Sequence, residues 1–334
     1  MATIKDVAIA AGVSLKTVSS VINNESGVAD ETRRQIQTVI RELGYVPNIS
    51  AQRLKSGRAT AFTLVLPRVE SPFASKLLSH VLAEARRRGY SVLIVEADST
   101  HPAGRDIIER GINRRQSDGL LIAPPGGDSL DMLNILQENG MPYVVITPHF
   151  LDRVPLFVDV TDRAGSEELV RYLISLGHRR IAHVGGGSLR FAQERLAGYT
   201  QALTNAGIPI DADMIRHGDT QVESGRTIAL DLLTRPDRPT AFFAANDEMA
   251  VGVMMAAWHL GLHLPEDVSV AGFDDVPIAQ QVFPPLTTVI QPIDQMVKAS
   301  IDMLIDAINE RTPEHAHVQI PTRLVIRDSC VAPH

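Results

Sequence analysis

Apolar residues recur at Ile4, Val7, Ala8 and Ala11, the i, i+3, i+4, i+7 spacing of a helix with one buried face. Thr3 and Asp6 stand ahead of them at capping-box spacing, and Gly12 breaks the pattern. A second run, capped by Ser14, turns Val18, Val21 and Ile22 inward. A third begins at Asp30 and repeats the spacing with Ile36, Val39, Ile40 and Leu43 before Gly44 and Pro47 close it. The first two helices are separated by a turn of about three residues, which is helix-turn-helix spacing.

From Ala61 the period changes. Short apolar, β-branched runs alternate with helical stretches: "AFTLVLP" (61–67), "SVLIVEA" (91–97), "DGLLIAP" (118–124), "PYVVIT" (142–147), "RRIAHVGG" (179–186), "TAFFAAN" (240–246) and "VSVAGFDD" (268–275). Continuous apolar strands followed by helices are the grammar of parallel sheets buried on both faces. The rhythm pauses near 148–162 and 286–292, as expected if the chain crosses between two doubly wound lobes.

Composition sharpens this picture. The 334 residues are enough for two or three domains. The one cysteine, Cys330, excludes an internal disulfide and a cysteine metal cluster, and a cytoplasmic location is the expectation. No apolar run approaches a membrane span, and the N-terminus lacks a signal layout. Net charge is −7, but residues 1–60 hold eight Lys/Arg against five Asp/Glu, and the rest hold 24 against 34. A small basic module is joined to an acidic body, an asymmetry that is a clue to a nucleic-acid partner rather than to the fold.

The outward face of the second helix, "SLKTVSSVINN", carries short hydroxyls and amides of the kind a major groove admits. Leu15, Lys16 and Ser20 are placed to meet base edges, and Thr17 and Ser19 to meet phosphates. A protein-binding three-helix module would look similar. In open parallel sheets ligands sit beyond the carboxyl ends of strands. "SPF" (71–73), "GGGSLRFAQER" (185–195), "AANDEMA" (244–250) and "GFDD" (272–275) bring Arg190, Arg195, Asn246, Asp247, Asp274 and Asp275 there. Such side chains suit a ligand with many hydroxyls. Asp274 and Asp275 are adjacent and should diverge rather than face one bond. No metal spacing, phosphate loop, dinucleotide fingerprint or nucleophile elbow is present, so no cofactor, metal or catalytic residue is expected. His178 and His183 read as structural, and Trp258 as core or subunit contact.

"TIKDVAIAAGVSLKTVSSVIN", "ELGYVPNISAQRLKSGR", "LGHRRIAHVGG", "RLAGYTQAL", "ANDEMAVGVM", "LPEDVSVAGFDD" and "PPLTTVIQP" together resemble the LacI family of bacterial transcription regulators, from about Thr3 to about Asp328. The resemblance implies a DNA-binding headpiece (1–46), a hinge helix and linker (47–60), and an effector-binding, dimerising core (61–331) like the periplasmic sugar-binding proteins. Lobe one would hold about 61–160 plus 291–319, and lobe two about 161–290 plus 320–331. Leu15, Lys16 and Ser20 fall on the family's base-reading positions and Leu54 on its minor-groove leucine. Thr3, Thr17, Ser19, Asn23 and Lys55 complete the DNA-binding set. Phe73, Arg190, Arg195, Asn246, Asp274 and Gln291 fall on effector positions. Two positions depart from the family: Thr161 stands where an Asp is usual, with Asp162 beside it, and Thr220 replaces a frequent aromatic. The implied function is a homodimeric repressor on a palindromic operator, gated by a sugar or sugar derivative. Residues 48–56 would lack a stable fold away from DNA and order in its groove. The chain ends after a final strand without a heptad tail, so dimers are expected rather than tetramers. A periplasmic-type sugar-binding protein would share the core, and a sugar-processing enzyme would need an acid–base pair that is not apparent.

Overall fold

The computed structural model describes residues 2–22, 26–45, 59–66, 68–96, 116–125 and 129–334. They form two compact units, divided after Ala59.

In the first unit, α1 (Ile4–Ala11), α2 (Leu15–Ile22) and α3 (Asp30–Glu42) pack around Val7, Ala8, Ala11, Val18, Val21 and Ile36. The local signals act as read. Thr3 Oγ1 accepts from Asp6 N–H while Thr3 N–H donates to the Asp6 carboxylate at 2.8 Å. Gly12 ends α1 at φ +65°, a conformation costly for a residue with a Cβ. Ser14 Oγ accepts from Thr17 N–H at 3.1 Å and so caps α2. Gln35 Nε2 donates to Ala11 O and ties α3 to the end of α1.

The second unit holds two parallel sheets. Its strands and helices are β1 (Ala61–Leu66), α4 (Pro72–Arg87), β2 (Ser91–Glu96), β3 (Leu120–Ile122), α5 (Leu130–Glu138), β4 (Tyr143–Ile146), β5 (Phe157–Val160), α6 (Asp162–Ser175), β6 (Ile181–Gly185), α7 (Arg190–Asn205), β7 (Ile215–His217), α8 (Val222–Leu233), β8 (Ala241–Ala244), α9 (Asp247–His259), β9 (Ser269–Ala271), α10 (Ile278–Gln281), β10 (Thr288–Ile290), α11 (Ile293–Ile308), β11 (His317–Ile320) and β12 (Arg323–Val325). The first sheet runs β11-β5-β4-β3-β1-β2, the second β7-β6-β8-β9, and β10 pairs antiparallel with β12.

Each sheet is covered on both faces. Phe62, Leu64 and Leu121 pack with Leu77 of α4 and Met296 and Leu304 of α11, while Val65, Ile122 and Val145 pack with Leu133 and Leu136 of α5 on the other side. Val184, Phe242 and Val270 pack with Leu232 of α8 and Met249 and Val253 of α9, while Ile181, Phe243 and Ala271 pack with Leu169 of α6 and Tyr199 of α7. The uninterrupted burial of β1, β6 and β8 is why their sequences are apolar without alternation.

The chain passes between the lobes three times, just before α6, between β10 and α11, and between β11 and β12. Two of these passages are bonded together: Thr322 N–H donates to Thr161 Oγ1 at 2.9 Å, and Thr322 Oγ1 to Thr161 O at 3.1 Å. The structure departs from the sequence reading in particulars. β5 lies inside the 148–162 pause and β10 inside the 286–292 pause, β7 and β11 are strands that the apolar runs do not announce, and the final strand is β12. Ile320 still pairs with Val160 in the first sheet, one residue beyond the 291–319 segment.

Candidate functional site

A cavity of about 370 Å³ lies between the lobes. Its lining comes almost wholly from residues that follow strands. Ser71 and Phe73 come after β1, Pro124 and Pro125 after β3, Thr147 after β4, Asp162 after β5, and Phe191 and Arg195 after β6. Thr220 comes after β7, Asn246 and Glu248 after β8, Asp274 after β9 and Gln291 after β10. Parallel strands all end on one side of their sheet, so two such sheets edge to edge gather these residues around one cleft.

Arg195 is its organising cation. It is fully buried. Its Nε donates to Asp162 Oδ1 at 2.8 Å, and its Nη1 donates to Ala245 O and lies 3.0 Å from Asp274 Oδ1. Its guanidinium carbon sits 3.7 Å from the Phe273 ring centre and 4.9 Å from that of Phe191. Gln291 Nε2 donates to Asp274 Oδ1 at 2.7 Å. Asn246 caps α9 by accepting from Met249 N–H at 2.9 Å, and its amide nitrogen donates to Thr220 O at 2.8 Å. Burial raises the pKa of Asp162 to about 6 although Arg195 opposes it, and burial also raises that of Asp274. Asp247, below the cleft floor, is raised well above the carboxylate range by burial and by Asp274, although Thr288 Oγ1 and Val276 N–H donate to it.

Backbone strain gathers here too. Among the described residues six non-glycines have positive φ, and three of them, Thr147 (+49°), Thr220 (+72°) and Asp274 (+107°), line the cavity. A β-branched residue in this region costs of order 1–3 kcal/mol and persists only where its surroundings enforce it.

Of the residues singled out from sequence, Phe73, Arg195, Asn246, Asp274 and Gln291 converge on the cavity. Arg190 does not line it: its two terminal nitrogens bind the Asp159 carboxylate at 2.9 and 2.7 Å. That partner lies on β5, 31 residues earlier, and is invisible to local reading. Asp274 and Asp275 diverge, the second taking Arg327 Nη2 at 2.6 Å. Where the family has an Asp at position 161, the Thr161 hydroxyl faces Thr322, and Asp162 supplies the carboxylate to Arg195. Sequence reasoning missed Arg68, Thr147 and Glu248, whose position just after strands was the available signal. His178 and His183 are buried and bonded to neighbouring backbone. Trp258 is 81% exposed, which removes the core reading.

In the first unit Thr3 at the start of α1 and Leu15 and Lys16 at the start of α2 are exposed, and Thr17, Ser19 and Ser20 of α2 are half-buried. Thr17 Oγ1 lies 2.8 Å from Ser14 Oγ. Asn23, Leu54 and Lys55 lie outside the described residues.

A helix-turn-helix unit in the same chain as a two-lobed α/β core with a cleft between its lobes is the layout of a DNA-binding regulator. Residues 3–48 match the model of the bacterial regulatory proteins of the lacI family, and 170–330 a periplasmic binding protein-like domain. The chain is 35% identical to the HTH-type transcriptional regulator DegA of Bacillus subtilis, over 98% of this chain and 97% of that protein. It is 34% identical to the HTH-type transcriptional repressor PurR of Erwinia tasmaniensis, over 98% and 97%. Among solved structures, the lac repressor dimer bound to operator and the anti-inducer ONPF superposes with a TM-score of 0.83 at 28% identity, covering 99% of each chain. The transcriptional regulator CelR–cellobiose complex superposes at 0.75 with 30% identity, covering 98% of this chain and all of that one. The chain belongs to the LacI family and is a DNA-binding transcriptional repressor.

Proposed function

We propose that this repressor acts in the cytoplasm as a homodimer on an operator of two-fold symmetry, that it controls carbohydrate-utilisation genes, and that a sugar or sugar derivative in the cleft gates it. The observation that carries the effector reading is the buried array of Asp162, Arg195, Asp274 and Gln291 beside the aromatic walls Phe73 and Phe191. Directional donors and acceptors along one side and flat apolar surface on the other match a ring with hydroxyls on its edge and C–H groups on its faces. The cellobiose held by the CelR relative supports the same reading, and the operator-bound lac repressor dimer supports a symmetric site.

Leu15, Lys16 and Ser20 would read bases, Thr3, Thr17, Ser19 and Asn23 would hold the module in register, and Leu54 and Lys55 would extend the contact into the minor groove. Exposed Trp258 and Phe283, 81% and 94% accessible, support a face that pairs with a second copy. No described helix is long and apolar enough to cross a membrane.

The test is a thermal-shift screen of the intact protein against neutral, amino, phosphorylated and acidic sugars, followed by operator binding with each hit. A ligand at 100 times its Kd should add about 2.7 kcal/mol to stability. At least one sugar should do so and also change operator affinity. If none stabilises the protein, the effector is not a sugar.

A further inference from the structure

Among the described residues five charged side chains line the cleft: Arg68 and Arg195 against Asp162, Glu248 and Asp274. Both cations are already charge-paired. Arg195 is claimed by two carboxylates and closed over by Phe273. Arg68 reaches across from the first lobe, and its Nη2 binds both oxygens of Glu248 on α9 at 3.0 and 3.3 Å. Glu70 stands 3.6 Å from its Nε. Arg190 is bound to Asp159, and Lys76 Nζ donates to Asp275 O at 2.8 Å.

On the assumption that the cleft is the effector site, we propose that Glu248 is its charge selector: by holding Arg68 it excludes phosphorylated and carboxylated sugars and restricts the effector to uncharged polyols. The lining carries one more carboxylate than guanidinium. An anionic ligand would meet no unpaired guanidinium among the described lining residues, and like charges cost most where water is excluded. Burial already raises the pKa of Glu248 against the pull of Arg68, a sign that this wall resists further negative charge. Two polar atoms on the first-lobe wall, Arg68 Nε and Thr147 Oγ1, are buried and make no hydrogen bond. Buried groups left unpaired cost about 1–3 kcal/mol each, so both ask for a partner from a ligand. A hydroxyl satisfies them without adding charge. The Arg68–Glu248 pair also spans the two lobes, so the choice of ligand is made where the cleft closes.

Inorganic phosphate is the probe, titrated by calorimetry into the intact protein at constant ionic strength. Wild type should bind it no better than a matched chloride control. Glu248→Gln frees Arg68 and should gain phosphate affinity by roughly tenfold or more, the worth of one charge-assisted hydrogen bond. The double variant Arg68→Ala/Glu248→Gln should lose that gain, which separates the cleft from the basic headpiece. Glu248→Ala gives the same reading should the glutamine variant fold poorly. The proposal is overturned if wild type binds phosphate in a way that Arg68→Ala abolishes, or if both Glu248 variants gain nothing. Failure of every neutral and charged sugar in the screen, with the phosphate results as expected, would instead remove the sugar reading and leave the charge selection standing.

Discussion

His183 lies in β6, stacked on Tyr199 at 5.1 Å between ring centres and tilted against Phe243 at 4.8 Å. Its Nδ1 meets Phe243 O at 3.1 Å, and its Nε2 is buried without a partner. Burial holds its pKa down at about 3. An unfolded histidine titrates near 6.5, so between about 6.5 and 3 the native state binds fewer protons than the unfolded chain. The stability this group supplies is complete above 6.5 and is lost as pH falls. Asp162 works in the opposite sense. Its folded pKa of about 6 exceeds the unfolded value of 3.8, so the native state binds more protons between them and gains stability as pH falls through 6. Near pH 5 the two slopes oppose each other. His183→Phe keeps the ring stack, loses one hydrogen bond and removes the unpaired nitrogen. Between pH 7 and pH 5 it should gain about 2 kcal/mol on wild type, from 1.5 pH units at 1.36 kcal/mol each. Urea melts of both proteins at the two pH values measure this, and parallel pH dependences would mean that the native imidazole is not held neutral.

At the scale of elements, the helix pairs on the second sheet meet more closely than side chains allow. A Cβ at Gly252 of α9 would lie 2.0 Å from Val222 O on α8, and one at Gly225 of α8 would lie 2.2 Å from Met249 O on α9. Each helix receives the other's backbone at its own glycine, and Gly198 of α7 does the same for Arg163 O at 2.3 Å. Gly252→Ala must therefore separate two backbones rather than turn a side chain, and should cost about 3 kcal/mol or more of stability. A loss below about 1 kcal/mol in denaturant melts would show that α8 and α9 part easily. Nothing in the local sequence announces this crossing, because its two halves are some 27 residues apart, from 225 to 252. The same reason separates what was legible from what was not. β1, β6 and β8 are sandwiched between helices, so their apolar runs announce them. β7, β11 and β12 are short, carry exposed residues and have polar sequences, so period and composition say little. Arg195 and Asp274 were legible because a strand-end position is a local fact. Arg190 turns from the cavity because Asp159, 31 residues away, takes it, and the strand-end position of Glu248 marks it for the cleft but not its pairing with Arg68, 180 residues away.

For the whole molecule, function as proposed depends on two copies acting together. Trp258 at 81% exposure and Phe283 at 94%, with Met255 beside them, form an apolar surface that a lone chain would leave in water. An aromatic of this size buries 150–250 Å², about 4–6 kcal/mol at 25 cal/mol/Å² before ordering costs, which is the profile of an interface anchor. A symmetric operator turns dimerisation into DNA affinity. Once one headpiece is bound, the second binds at a high effective concentration, whereas a monomer has only its half-site. Trp258→Asp places a charge at the centre of that surface and should raise the dimer dissociation constant about 30-fold or more, the consequence of losing at least 2 kcal/mol. Sedimentation at several concentrations reads this directly. Operator binding should weaken in parallel at low protein concentration, while affinity for a half-site duplex stays at the wild-type value because the headpiece is untouched. Unchanged sedimentation would place the dimer contact elsewhere on the core. Normal dimers with weakened full-operator binding would instead mean that α9 acts on DNA affinity by a route other than bringing two headpieces together.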